Sequence, residues 1–202
     1  MTSIKILILC ASVIMLAACG GGGSEPPVTT ATPSVGVFVD SAVGGLQYQA
    51  PSYSGSTNTL GEFNYLPGER ITFSIGDIVL GSAQAGAIIT PLSLVPGASG
   101  ANDPTVTNIV RLLLTLDDDN NPDNGINLGN EITVAAQNLS INFSAADLSA
   151  DPGVNSLLTA LPAQPTLIDN ETAQAHFSAS LATQSNWGTM AWGGGIWKSA
   201  TP

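Results

Sequence analysis

The feature that most constrains this chain is a change of hydrophobic period near Gly100. From Val35 to Leu94 the period is two: Val35, Val37 and Val39 alternate with Gly36, Phe38 and Asp40, and Phe63 and Tyr65 alternate with Glu62 and Asn64. Ile71, Phe73 and Ile75 then alternate with Thr72, Ser74 and Gly76, and Ile78 and Leu80 follow. Such alternation puts every second side chain on one face of a strand. Glycines at 44–45, 55, 61, 68, 76, 81 and 86, with Pro67, break the runs at turn-like intervals.

Beyond Gly100 the spacing becomes helical. Asp103-Pro104 offers an N-cap and a proline at the first helical position, ahead of Val106, Ile109, Val110, Leu113 and Leu116. Ser144 and Asp147 can form a capping box, with Phe143 stapled on Leu148. Asp151-Pro152 opens another helix with the stripe Val154, Leu157, Leu158 and Leu161, and a last one, roughly Asn170 to Thr183, carries Ala173, Phe177 and Leu181. Strands first and helices second predicts an α+β fold. The expected order is a small β-sandwich over residues 35–100, then residues 101–202 with helices, an acidic loop and a C-terminal hairpin. The helices either cap the sandwich or form a small second lobe.

The N-terminus has a different character. One charge, Lys5, precedes an uncharged apolar run from Ile6 to Ala18, the layout of a secretion signal over residues 1–18. That run is too short for the ~20 apolar residues that span a bilayer. It ends in Leu16-Ala17-Ala18-Cys19, which resembles the bacterial lipobox. The resemblance implies cleavage before Cys19, acylation of its thiol, and three acyl chains, enough for a permanent anchor. Gly20 stands where an aspartate would hold such a protein in the inner membrane, so the resemblance further implies the outer membrane, periplasmic or surface face undetermined. Cys10 lies inside the signal, so the mature chain can form no internal disulfide. Residues 19–34, the lipidated cysteine and the stretch GGGGSEPPVTTATPS, are too rich in Gly, Pro and Thr to build a core and read as a tether that reaches roughly 45 Å if extended.

All fifteen acidic residues follow Cys19, where the only cations are Arg70, Arg111 and Lys198; the full chain carries a net charge of −11 at pH 7. Such a field repels nucleic acid and anionic lipid, and favours a cation or a neutral ligand.

With the strands placed, a further likeness emerges: Val43-x-Gly45-x-x-Tyr48, Ser54-Gly55-x-Thr57-x-x-x-Gly61-x-Phe63-x-Tyr65-x-x-Gly68 and Phe73-x-Ile75-Gly76. The pattern resembles transthyretin-like, carboxypeptidase-regulatory-like β-modules of bacterial surface proteins. The run onward through Leu80-Gly81, Thr90-Pro91-Leu92 and Leu116-Asp117 is similar to segments of proteobacterial adhesin-like lipoproteins. The resemblance implies a non-catalytic module for binding, adhesion or assembly, and brings no catalytic residue with it. A helical region follows the Phe73 and Ile78 strands, a departure from the usual module.

No Gly-x-Ser-x-Gly elbow, His-Glu-x-x-His or Walker loop occurs, and His176, beside Phe177, reads as a packing or surface residue. Two carboxylates could still meet in space as a hydrolytic pair, but nothing in the sequence selects them. Trp187, Trp192 and Trp197 fall five residues apart around Gly193–Gly195, a pattern for a terminal β-hairpin whose indoles either pack in the core or stack on a surface glycan. Another envelope protein is the alternative partner.

The densest oxygen cluster is Asp117-Asp118-Asp119-Asn120-Asn121-Pro122-Asp123-Asn124-Gly125. An EF-hand register from Asp119 misplaces Gly125 and Glu131, and one from Asn120 puts Pro122 at a ligand position, so neither fits. A looser calcium site on Asp117, Asp119, Asn121 and Asp123 is the expectation, against a plain solvated turn. Consecutive aspartates at the negative end of a helix repel one another and its dipole unless a cation is near.

Overall fold

A computed structural model of the chain describes residues 32–187, with side chains through Gln184. The fold is α+β, with nine short strands and four α-helices among the described residues. Strand β1 (Ser34–Phe38) lies between β5 (Glu62–Tyr65), antiparallel to it, and β8 (Ile88–Ile89), parallel to it. A second sheet runs in the order β4 (Ser54–Ser56), β3 (Gln47–Gln49), β6 (Arg70–Ile75), β7 (Ile78–Gln84), all antiparallel. A two-stranded parallel pair joins β2 (Val43–Gly44) to β9 (Ile126–Asn127), far apart in sequence.

Alternation in β1 buries the face of Gly36, Phe38 and Asp40, while Val35 is exposed and Val37 and Val39 are half-buried. Rings carry the contact between the two larger sheets. The Phe38 and Phe73 centroids lie 4.8 Å apart, Phe63 and Phe73 5.3 Å, and Tyr48 and Phe63 5.8 Å, within the range of favourable aromatic pairs. Gly36 is required where it stands: a Cβ would collide with the Phe63 ring and the Gly86 carbonyl oxygen. Gly76 turns the β6–β7 hairpin at φ 55°, where a side chain would also strike the Thr133 carbonyl oxygen.

The helices are α1 (Pro104–Thr115), α2 (Asn130–Ala135), α3 (Pro152–Ala160) and α4 (Asn170–Trp187). Asp103 caps α1 by accepting from the backbone N–H groups of Thr105 (2.9 Å) and Val106 (3.2 Å), and Asp151 caps α3 through Gly153 (2.8 Å) and Val154 (3.2 Å). Helix α1 is more than the amphipathic stripe its sequence predicts, because every residue from Val106 to Thr115 is buried. Its polar residues are satisfied internally: the Asn108 amide donates to the carbonyls of Phe143 (2.9 Å) and Ala145 (3.0 Å), and the Thr107 hydroxyl to that of Ala101 (2.9 Å). Helix α1 is thus a central post, and one hydrophobic cluster runs from Phe38 and Phe73 through Ile109 and Leu113 to Leu157 and Phe177. Among the described residues no helix is long and apolar enough to cross a membrane.

Two local expectations change. The Ser144–Asp147 capping box does not form: the Ser144 hydroxyl turns back to Asn142, and Asp147 instead caps the short 3-10 turn Leu148–Ala150. Phe143 and Leu148 are nonetheless both buried. The last helix runs beyond Thr183 to Trp187, so the first tryptophan belongs to helical backbone rather than to a hairpin strand. Trp192 and Trp197, like Cys19 and the tether through residue 31, lie outside the described residues.

Candidate functional site

The acidic loop is built on the end of α1. Asp117 follows the C-cap Leu116 and is drawn inward to 4% exposure. Its Oδ1 accepts the Asn127 N–H at 2.9 Å, while the Asp118 N–H donates to the Asn127 carbonyl at 3.2 Å. Asn127 pairs in β9 with Gly44 of β2, so Asp117 is pinned where the central helix meets the strands. Its other oxygen, Oδ2, is buried with no hydrogen-bond partner. An orphaned acceptor in a folded interior carries a desolvation penalty of about 1–3 kcal/mol.

Asp118 and Asp119 stand beside it, both exposed. One carboxylate oxygen from each of Asp117, Asp118 and Asp119 lies within 4.8 Å of the others. Two ligands on opposite sides of a calcium ion stand about 4.6–5.2 Å apart at Ca–O distances of 2.3–2.6 Å, so the cluster has the span for one ion. Asn120, in the left-handed region at φ 57°, lets the chain fold back so that the Asn121 N–H (2.9 Å) and the Asn124 amide (2.7 Å) both donate to Asp119. The electrostatics differ between neighbours. Burial pushes the Asp117 carboxyl up, with Asp119 and Asp118 adding to the shift, against the donors from Asn127 and Asn121. Asp119 is held below the usual carboxylate range by Asn124 and Asn121.

The converging carboxylates overlap the expected set in part. Asp117 and Asp119 belong to it, Asp118 joins them, Asn121 contributes a backbone N–H to Asp119, and Asp123 is exposed in the short turn Pro122–Asn124. Side-chain spacing in the sequence cannot reveal that the loop tightens around Asp119.

A second polar cluster was not singled out in the sequence. Asp40 is fully buried, both carboxyl oxygens lack a partner, and burial pushes its carboxyl well above the normal range. Its backbone carbonyl receives two bonds from one face of α4, His176 Nε2 at 2.7 Å and the Ser180 hydroxyl at 2.8 Å. A carbonyl oxygen can only accept, so His176 carries its proton on Nε2. That nitrogen is also 3.6 Å from Asp40 Oδ1. Asp, His and Ser are the residue types of a hydrolytic triad, yet here the imidazole and the hydroxyl both end on one main-chain oxygen instead of relaying to each other. The arrangement clamps α4 to the end of β1. Alternation of Val35, Val37 and Val39 points away from it: Asp40 shares its face with Gly36 and Phe38, and the structure turns that face inward while Val35 is exposed.

No protein-family model, curated protein or solved structure matches the chain.

Proposed function

We propose that this chain is a lipid-anchored module of the outer membrane, held through Cys19, that binds or assembles rather than catalyses. In this reading a calcium ion at Asp117, Asp118 and Asp119 ties its central helix to its strands. The observation that carries the folded part of the reading is the buried, partnerless Oδ2 of Asp117 beside two further carboxylates. A hard divalent cation is the ligand chemistry that satisfies such an oxygen and cancels the mutual repulsion at the negative end of α1. Because Asn127 links Asp117 to β9 and β2, an ion there stiffens the junction between helix and strands. Support for the anchor is the Leu16-Ala17-Ala18-Cys19 sequence. The transthyretin-like sandwich over residues 35–100 is part of the same reading, and its support is the meeting of two sheets through Tyr48, Phe63 and Phe73, all members of the quoted pattern.

Calorimetric titration of the detergent-solubilised full chain with calcium chloride tests the cation. Saturable heat and a raised melting temperature are expected, both lost in Asp117→Ala combined with Asp119→Ala; silence at millimolar calcium defeats the proposal. Palmitate labelling in cells tests the anchor separately, and label persisting in Cys19→Ala rules it out.

A further inference from the structure

Arg111 is the one described cation that the fold takes inside. It is buried on α1, whereas Arg70 is exposed on β6. Its Nε donates to the Ile168 carbonyl at 2.6 Å and its Nη1 to Asn108 Oδ1 at 3.3 Å, both neutral acceptors. Among the described residues no carboxylate comes within ion-pair distance of it. Burial lowers its proton affinity, and Asp147 and Asp169 oppose this from longer range. Those two carboxylates are exposed and engaged elsewhere, Asp147 with the Ser149 N–H at 2.9 Å and Asp169 with the Thr172 N–H at 2.8 Å. A buried charge without a close counter-charge is expensive, and the usual resolution is a partner.

Space for a partner is present. Arg111 lines an open cleft of about 340 Å³ between α3 and the segment at residues 164–167. Apolar walls come from Val154, Leu158 and Leu167, and polar ones from side chains such as Asn155 and Thr159. Nη2 donates to no described residue and is not among the enclosed, partnerless atoms, so the guanidinium keeps a free donor on a residue that lines the cleft. An arginine with a free guanidinium donor on the lining of a half-apolar cleft matches a planar anion with a small apolar body.

We propose that this cleft binds a small organic carboxylate, drawn against the acidic field of the chain as a whole by the local charge of the Arg111 guanidinium, with its apolar part against Leu158 and Leu167. The site rests on the reading of the chain as a binding module but not on the calcium corner, so titrations run with calcium and with chelator separate the two. Two sources share the chemistry, a sugar acid and a peptide C-terminus. NMR titration of the full chain in detergent therefore uses glucuronate and N-acetyl-leucine as probes, with glucose and N-acetyl-leucinamide as neutral counterparts. The expected result is a saturable shift of the Arg111 Nε–H resonance by at least one carboxylate and binding at least about tenfold weaker for its neutral counterpart. The tighter of the two carboxylates identifies the source. Arg111→Lys keeps the charge and loses the fork, and should weaken binding about tenfold. Because Arg111 also supports Ile168, Thr159→Glu serves as the second variant: Thr159 is exposed on α3, and a carboxylate there should expel the ligand without touching the Arg111 bonds. No saturation by either carboxylate, equal binding of the neutral compounds, or affinity unchanged in Thr159→Glu overturns the proposal.

Discussion

Asp40 and Asp117 are both buried aspartates with oxygens that receive no donor, and the fold has placed them in opposite settings. Asp40 is enclosed by β1 and α4, and the groups that approach it, His176 and Ser180, bond its main chain instead of its carboxyl. Asp117 has Oδ1 on the Asn127 N–H and Oδ2 without a partner, and its carboxylate lies beside those of the exposed Asp118 and Asp119. Burial raises both carboxyls, so burial alone does not decide what each can do. Access does. In the enclosed carboxyl burial favours the neutral form with nothing to offset it, whereas the one next to solvent-facing carboxylates stands where a metal ion can reach it.

The largest effect expected from this contrast is on calcium-linked stability. Free calcium at about 10 to 100 times its dissociation constant should raise the unfolding free energy by about 1.4–2.7 kcal/mol. Asp117→Asn should abolish that gain and Asp40→Asn should leave it whole; denaturant titrations with and without calcium that show equal gains in both variants would erase the distinction.

The next effect concerns pH. An unfolded aspartate ionises near pH 4, and the folded Asp40 holds its proton above that. The folded state then binds more protons than the unfolded one, so stability falls as pH rises from about 4 and levels off once the folded carboxyl ionises. Asp40→Asn removes this loss, so the variant should gain steadily on the parent as pH rises from about 4. Parent and variant stability curves that run parallel from pH 4 to 8 would mean that Asp40 is not the group responsible.

Smaller again is the clamp itself. His176→Ala and Ser180→Ala each remove one bond to the Asp40 carbonyl and should cost about 1 kcal/mol, with the calcium response unchanged. Smallest is Asp118→Asn. In chelator it should alter stability by less than about 0.5 kcal/mol, as for other exposed sites, while weakening calcium binding. A large change in chelator would give Asp118 a role in the fold that its exposure does not suggest.

Much of the framework is legible in the residues. Asp103-Pro104 and Asp151-Pro152 mark the starts of α1 and α3, and the stripe Ala173–Phe177 marks the buried face of α4. Strands β5, β6 and β7 follow their alternation. What escaped was short or non-local. Strands β2, β8 and β9 have two residues each and α2 only six, too few for any period to register. The burial of Arg111 and Asn108 on α1 depends on partners at residues 143, 145 and 168, which a helical wheel does not contain. The acidic loop was found by composition, but which side chains converge was decided by the contact of Asp117 with Asn127, ten residues on. Asp40 is not legible as a core residue, because the valines of β1 mark the opposite face and an aspartate at the end of a strand reads as a turn residue.

The placement of β1 has a mechanical consequence. It is the middle strand of its sheet, bonded to β5 on one side and β8 on the other, and the chain enters it at Ser34. A pull applied to the start of β1 along the strand's own direction acts across its interstrand bonds, so it loads both ladders in shear instead of opening them one bond at a time. A strand at the sheet edge, pulled from its end and peeled sideways, would yield at lower force. Load entering the fold at Ser34 would thus be shared between two ladders.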